Sequence, residues 1–263
     1  MKFKSISIIG GGNLGIAIAT GLINRNFCPA SAITITRRNT APLFGLQANG
    51  VHITNDNKEA VNNSEIIILA VKPFQIKDIL VEICPELTAS HILVSAVTGV
   101  STGEIEEVIK ARCSIFRAMP NTAIAIGESM TCLSSPKGSE ADRVYVSALF
   151  SALGKTTFIE EQLMNAATVL GACGTAFAMR YIRASIQGGI EIGFDASTAS
   201  LIAAQTVKGA AELLLTTHTH PEHEIDKVTT PKGCTIAGLN EMEHKGFSSS
   251  LIKGIVASYN KIG

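Results

Sequence analysis

The chain has 263 residues, 46% of them hydrophobic, and a formal net charge of zero. That length holds one large domain or two ordinary ones, and the composition supports a sizeable core. The balanced charge offers no basic face for nucleic acid and no acidic tail, and no apolar run is long enough to span a bilayer.

The first segment, MKFKSISIIGGGNLG, puts lysines ahead of an apolar run that breaks at once in glycines, with no cleavage site. A signal peptide is therefore not expected, and the chain reads as a cytoplasmic protein. Residues 5–9 form the first predicted strand and 13–24 the first helix. The β-branched run 32–36 predicts a second strand, and 52–54 a short third. Continuous apolar runs at 66–71 and 92–97 suit central parallel strands. Further strands are expected at 114–118, 130–133 and 156–159, with helices at 57–63, 74–82, 101–110 and 138–153. This alternation predicts an α/β Rossmann domain, with a doubly wound, mostly parallel sheet, over residues 1–160.

The pattern changes after Glu160. Residues 161–263 carry almost no strand signal and read as an all-α domain, with long helices at 162–190 and 196–217 and shorter ones at 235–245 and 248–260. The long helices are crowded with Ala, Gly, Ser and Thr. Small side chains allow close packing but remove little apolar area from water, which motivates a dimer that completes the core. A helical domain packed on its own sheet domain is the alternative.

Gly10, Gly12 and Gly15 form G-x-G-x-x-G directly after a strand and at the start of a helix. In that setting the glycines permit a tight turn, close approach of a pyrophosphate and close helix–strand packing. The helix start then offers free N–H groups to the anion. The acid that an NAD site carries at the end of its second strand is missing: Thr36, Arg37 and Arg38 stand there, and no Asp or Glu occurs before Asp56. Guanidinium groups pair well with a 2′-phosphate, so NADP(H) is expected, with NAD(H) as the alternative dinucleotide. Two further segments fall at strand ends on the ligand side: Ala70-Val71-Lys72-Pro73 and Arg117-Ala118-Met119-Pro120-Asn121-Thr122. Lys72 suits a general acid, a phosphate contact or a solvated helix start, and Asn121 a nicotinamide contact, a substrate contact or a turn after proline.

In the second half, His218, His220 and His223 with Glu222 and Glu224 invite a metal reading. Their spacing matches no helical zinc motif and no later cluster completes a shell, so no metal is expected and the stretch reads as a polar interhelical turn. The six cysteines, Cys28, Cys84, Cys113, Cys132, Cys173 and Cys234, form no C-x-x-C pair and read as buried reduced thiols. The more informative run is Val228-Thr229-Thr230-Pro231-Lys232-Gly233-Cys234-Thr235-Ile236-Ala237-Gly238. Thr230 is expected to cap a helix with Pro231 at its first position. The amides around Gly233 and the Thr235 hydroxyl would then suit a carboxylate and a group beside it; a plain capped helix start is the other reading.

Together, IIGGGNLG, AVKP at 70–73, AMPNT at 118–122, AAQTVKGAAELL at 203–214, His220-Pro221, VTTPKGCTIAGLNEME at 228–243 and Gly246-Phe247 resemble the pyrroline-5-carboxylate reductase family, in family order over nearly the whole chain. The resemblance implies reduction of Δ1-pyrroline-5-carboxylate to L-proline with NAD(P)H, the last step of proline biosynthesis. It also implies a helical domain that interleaves with a second subunit, as a homodimer or a ring of dimers. It implies cofactor contacts from Gly10, Gly12, Asn13, Leu14, Gly15, Arg37, Val71, Lys72, Pro73, Pro120 and Asn121, with Arg38 beside them. It implies a substrate loop of Thr230, Gly233, Cys234 and Thr235, with the Thr235 hydroxyl near the imine nitrogen. Departures are Lys232 in place of a glycine, Cys234 in place of a small residue or threonine, and Gly171-Ala172-Cys173-Gly174-Thr175-Ala176 in place of SGSGPA. The rival readings are a reductase of another cyclic imine or a β-hydroxy acid, and a non-catalytic nucleotide-binding scaffold. Dehydrogenases of β-hydroxy acids commonly use a lysine in the helical domain, whereas residues 162–190 hold Arg180 and Arg183 and no lysine.

Overall fold

The computed structural model describes residues 3–110 and 112–262. Eight strands form one sheet: β1 (Ile6–Ile9), β2 (Ile33–Thr36), β3 (His52–Thr54), β4 (Ile66–Leu69), β5 (Ile92–Ser95), β6 (Ser114–Met119), β7 (Ser129–Ser134) and β8 (Gly154–Phe158). Their order is β3-β2-β1-β4-β5-β6-β7-β8. Neighbours run parallel except at β6–β7, so β7 and β8 oppose the other six. The helices of this part are α1 (Asn13–Asn24), α2 (Phe44–Ala48), α3 (Asn57–Asn62), α4 (Ile76–Ile83), α5 (Thr102–Ile109) and α6 (Glu140–Ser151). The expected doubly wound sheet is present. The runs 66–71 and 92–97 end as strands at Leu69 and Ser95, and their last residues continue as loops at the C-terminal edge of the parallel strands.

Alternation along the strands splits the core into two layers. Ile6, Ile8, Ile66, Ile68, Val94 and Phe116 point to one face, packed with Ile18 and Leu22 of α1 and Leu149 and Phe150 of α6. Ile9, Ile67, Leu69, Leu93 and Ile115 point to the other, against Leu80 and Ile83 of α4 and Ile105 and Ile109 of α5. Both faces are covered, which is why the central strands read as unbroken apolar runs rather than alternating ones.

The long helix expected at 162–190 is interrupted. A 3-10 turn at Glu161–Leu163 leads into the short α7 (Met164–Ala167), then a π-helical turn at Thr168–Cys173, then α8 (Gly174–Glu191). The Thr168 hydroxyl donates to the Met164 carbonyl at 2.8 Å, a local bond of the kind that competes with a regular ladder. The chain divides into two compact units, one ending at Cys173 and the other Gly174–Lys261. The second unit contains α8, α9 (Ala196–Thr217), α10 (Pro221–Lys227), α11 (Cys234–His244) and most of α12 (Phe247–Ile262). Asp195 caps α9 by accepting the Ser197 and Thr198 N–H groups at 2.9 and 3.0 Å. Gly189 lets α8 and α9 approach: a Cβ there would sit 3.1 Å from the Ala199 Cβ. Ala199 and Ala203 are the buried residues of this unit, while Ile192 is 79% and Leu201 71% exposed.

The structure departs from expectation at three further places. The 218–224 stretch is not a turn throughout: α10 begins at Pro221, and the His220 imidazole caps it by accepting the Glu222 N–H at 3.3 Å. Thr230 does not cap a helix; α11 starts at Cys234 with Gly233 as its cap. Of the cysteines only Cys28 is fully buried, and Cys234 is exposed.

Candidate cofactor and substrate sites

The glycine loop after β1 is built by contacts that exclude side chains. Gly10 takes φ +109°, and a Cβ there would lie 2.5 Å from the Ala70 carbonyl oxygen and 2.7 Å from the Val71 Cγ1. A Cβ on Gly15 would overlap the Gly10 carbonyl oxygen. Gly12 differs: a Cβ there would meet nothing within 4 Å. Protein packing therefore accounts for Gly10 and Gly15 but not for Gly12, whose bare backbone borders open space at the start of α1. That space suits a pyrophosphate, with the α1 amides as donors, because α1 has no side-chain cap and no acidic residue in its first turn.

The loop is tied to the second strand. Gly10 and Gly11 N–H groups both donate to the Thr36 carbonyl, at 3.2 and 2.7 Å. The Arg37 guanidinium reaches back and donates to the Gly11 carbonyl at 2.8 Å, which places a cation directly beside the glycine loop. Arg38 is exposed and makes no ion pair among the described residues. The Thr36 hydroxyl donates to Asn57 Oδ1 at 2.7 Å. Among the described residues no carboxylate follows β2 directly, so the donor set fits a 2′-phosphate.

Val71 is half-buried against the second core layer. Lys72 is exposed; its N–H donates to Gln75 Oε1 at 3.2 Å and Pro73 opens the 3-10 turn that follows. Asn13 is exposed at the start of α1 and Leu14 packs partly on the first core layer. Asn121 is engaged on every side. Its N–H donates to Ser129 Oγ at 3.1 Å, its Oδ1 accepts the Ala123 N–H at 3.0 Å and its Nδ2 donates to the Gly171 carbonyl at 3.2 Å. Its side chain braces the turn after Pro120.

In the second unit the Gly233 N–H donates to the Thr230 carbonyl at 2.9 Å, closing a four-residue turn over Thr230–Gly233. Pro231 holds the second position and Lys232 the third, with φ +61°, a conformation that favours glycine. Gly233 is required by space, since a Cβ would lie 2.5 Å from Thr230 Oγ1. The α11 start has no side-chain cap, so the amides of Cys234 and Thr235 stand in the first turn as anion donors. The half-buried Thr235 hydroxyl makes no hydrogen bond among the described residues. Within the histidine stretch, Glu224 accepts from Lys227 at 2.7 Å and from Thr219 at 2.6 Å, which holds its carboxyl below the usual range.

Sequence reading assigned nothing to Glu161 or to the Arg117 side chain. Arg117 is 4% exposed and pairs with Glu161 at 3.5 Å. An arginine inside the apolar strand SIFRAM was the available signal; Glu161 had none.

Residues 161–263 match the family description "Pyrroline-5-carboxylate reductase dimerisation", and residues 5–99 match "NADP oxidoreductase coenzyme F420-dependent". The chain is 47% identical to pyrroline-5-carboxylate reductase 1 of Dictyostelium discoideum over 98% of its own length, and spans 49% of that relative. It is 43% identical to pyrroline-5-carboxylate reductase 2 of the same organism, over 98% of this chain and 92% of the relative. Among solved structures, the Plasmodium falciparum pyrroline carboxylate reductase with NADP bound aligns at TM-score 0.91 and 26% identity, covering 100% of this chain and 98% of that one. With a relative 43% identical over 98% of this chain and 92% of its own length, the chain belongs to the pyrroline-5-carboxylate reductase family.

Proposed function

We propose that this chain reduces Δ1-pyrroline-5-carboxylate to L-proline with NADPH. The observation that carries the reading is the match to relatives of that name, at 31–47% identity over 97–98% of the chain. The boundary proposed for the two functional parts lies at 160/161, with residues 1–160 holding the dinucleotide and 161–263 the substrate and a dimer contact. The glycine loop and α1 amides would hold the pyrophosphate, Arg37 and Arg38 the 2′-phosphate, and Val71, Lys72, Pro73 and the Asn121 turn the nicotinamide half. A dinucleotide held there would supply the hydride that the imine carbon needs.

The protein's own work is orientation and exclusion of water. The amides of Cys234 and Thr235 would take the ring carboxylate, in the turn that Thr230 and Gly233 shape. The Thr235 hydroxyl, without a hydrogen bond among the described residues, would bond the ring nitrogen and hold its proton in place. A hydroxyl is a weak acid near neutrality, so Thr235 orients the iminium rather than generating it. The unburied apolar side chains of Gly174–Lys261 support a homodimer or a ring of dimers. The compartment we assign is the cytoplasm, checked by fractionation.

The test is loss of NADPH absorbance with Δ1-pyrroline-5-carboxylate, and proline formed one for one. Turnover of a different cyclic imine but not this one would keep the site and change its substrate. No turnover of any imine, with NADPH still bound, would favour the scaffold reading.

A further inference from the structure

Register places five residues in one row at the ligand edge of the sheet. Thr36 pairs with Ile9, Ile9 with Leu69, Leu69 with Ser95 and Ser95 with Arg117. Thr36, Ile9, Leu69 and Ser95 each end their strand, and Gly10 and Ala70 follow directly at the phosphate loop. Arg117 is the one charged side chain in this row, and it is buried.

Its Nη1 lies 3.5 Å from Glu161 Oε1, while Nε and Nη2 are buried with no hydrogen-bond partner among the described residues. Glu161 is a joint. It accepts the Thr102 N–H at 2.6 Å and the Thr102 hydroxyl as well. Thr102 is the first residue of α5, so the carboxylate also meets the positive end of a helix. One side chain thereby links α5, β6 and the segment that follows β8.

Stability is a poor reason for this pair. A buried ion pair recovers its desolvation cost only when its remaining donors are satisfied, and here two nitrogens are not. Geometry is a better reason. Arg117 lies three residues before Pro120, and Asn121 donates to the carbonyl of Gly171, inside the π-helical turn Thr168–Cys173. The end of β6 and the segment 161–173 are thus joined twice, by Arg117–Glu161 within the strand and by Asn121–Gly171 at the turn.

We propose that Arg117 and Glu161 are positioning residues for the reduction. Their pair fixes the Ala118–Asn121 strand end against residues 161–173, and with it the wall on which the nicotinamide is oriented, at some cost in stability. This rests on the reductase reading above.

The test uses the full chain carrying Arg117→Met and Glu161→Gln together. The double change removes both charges at similar volume, and the amide oxygen introduced at position 161 still accepts from Thr102. The expected result is a Tm equal to or above that of the unaltered chain, an NADPH Kd within about threefold, roughly 0.65 kcal/mol, and a kcat lower by at least about 10-fold. The emission of bound NADPH should shift, since its nicotinamide surroundings change. Arg117→Lys, which keeps the charge but loses the planar fork, should not restore kcat. An unchanged kcat in the double variant overturns the proposal, and so does a lower Tm alongside the lost turnover, which would assign the pair to stability. If the unaltered chain fails to reduce Δ1-pyrroline-5-carboxylate, the reaction is misread and the emission decides the pair alone. A shift at unchanged Kd then supports positioning, and no shift overturns it.

Discussion

Replacing Arg37 and Arg38 by alanine separates two losses that the structure keeps distinct. Arg37 donates to the Gly11 carbonyl at 2.8 Å, so its removal loosens the phosphate loop for any dinucleotide. One such bond is worth about 0.5–1.5 kcal/mol, or roughly 2- to 12-fold in affinity. NADH meets only this loss. NADPH also loses the guanidinium pairing with its 2′-phosphate, a charge-assisted contact worth about 1.5–3 kcal/mol. The double variant should therefore raise the NADPH Michaelis constant on the order of 10- to 100-fold more than the NADH one. Steady-state kinetics with both cofactors at saturating substrate measures the ratio. Raised salt should narrow the difference, because exposed Arg38 is screened. Equal increases for NADPH and NADH would refute the assignment, and would mean that Arg37 serves the loop alone.

Thr235→Ala should leave Tm nearly unchanged, because the hydroxyl makes no bond among the described residues, while turnover falls roughly 10- to 1000-fold and NADPH binding holds. Full activity in that variant would remove Thr235 from the mechanism. Gly12→Ala should fold normally and weaken NADPH, since its Cβ enters open space, whereas Gly10→Ala should lower Tm because its Cβ meets the Ala70 carbonyl at 2.5 Å; the reverse pattern would mean the loop is misread. Lys232→Gly relieves a positive φ of 61° and should stabilise by about 1 kcal/mol, a Tm rise of roughly 2–4 °C; an unchanged or lower Tm would show that the turn stores no such strain. Sedimentation at micromolar concentration should show no dominant monomer, and a compact active monomer would defeat the dimer.

The local devices were legible in the residues because each has a short-range cause. Unbroken apolar runs marked the central strands, and the glycine spacing marked the tight turn between β1 and α1. Small residues at 162–190 and 196–217 pointed to close helices, and α9 is observed at Ala196–Thr217 as its pattern required. Helix starts were less legible where turn chemistry competed. Thr230-Pro231 has the composition of a cap, yet the Gly233 N–H bonds the Thr230 carbonyl, and the turn it closes delays α11 to Cys234. His220 carried no cap signal of the usual kind, so α10 was missed.

Tertiary structure alone decided what depends on distant partners. The π-helical turn at Thr168–Cys173 lies in a run whose propensity reads as plain helix. A turn at Asn121 is readable after Pro120, but its bond to the Gly171 carbonyl 50 residues away is not. Glu161 is one acid among many until the fold sets it on Thr102 and Arg117. Periodicity reports which face of an element is buried; it carries no record of which element lies opposite, and that pairing is what turns a buried arginine from an anomaly into a joint.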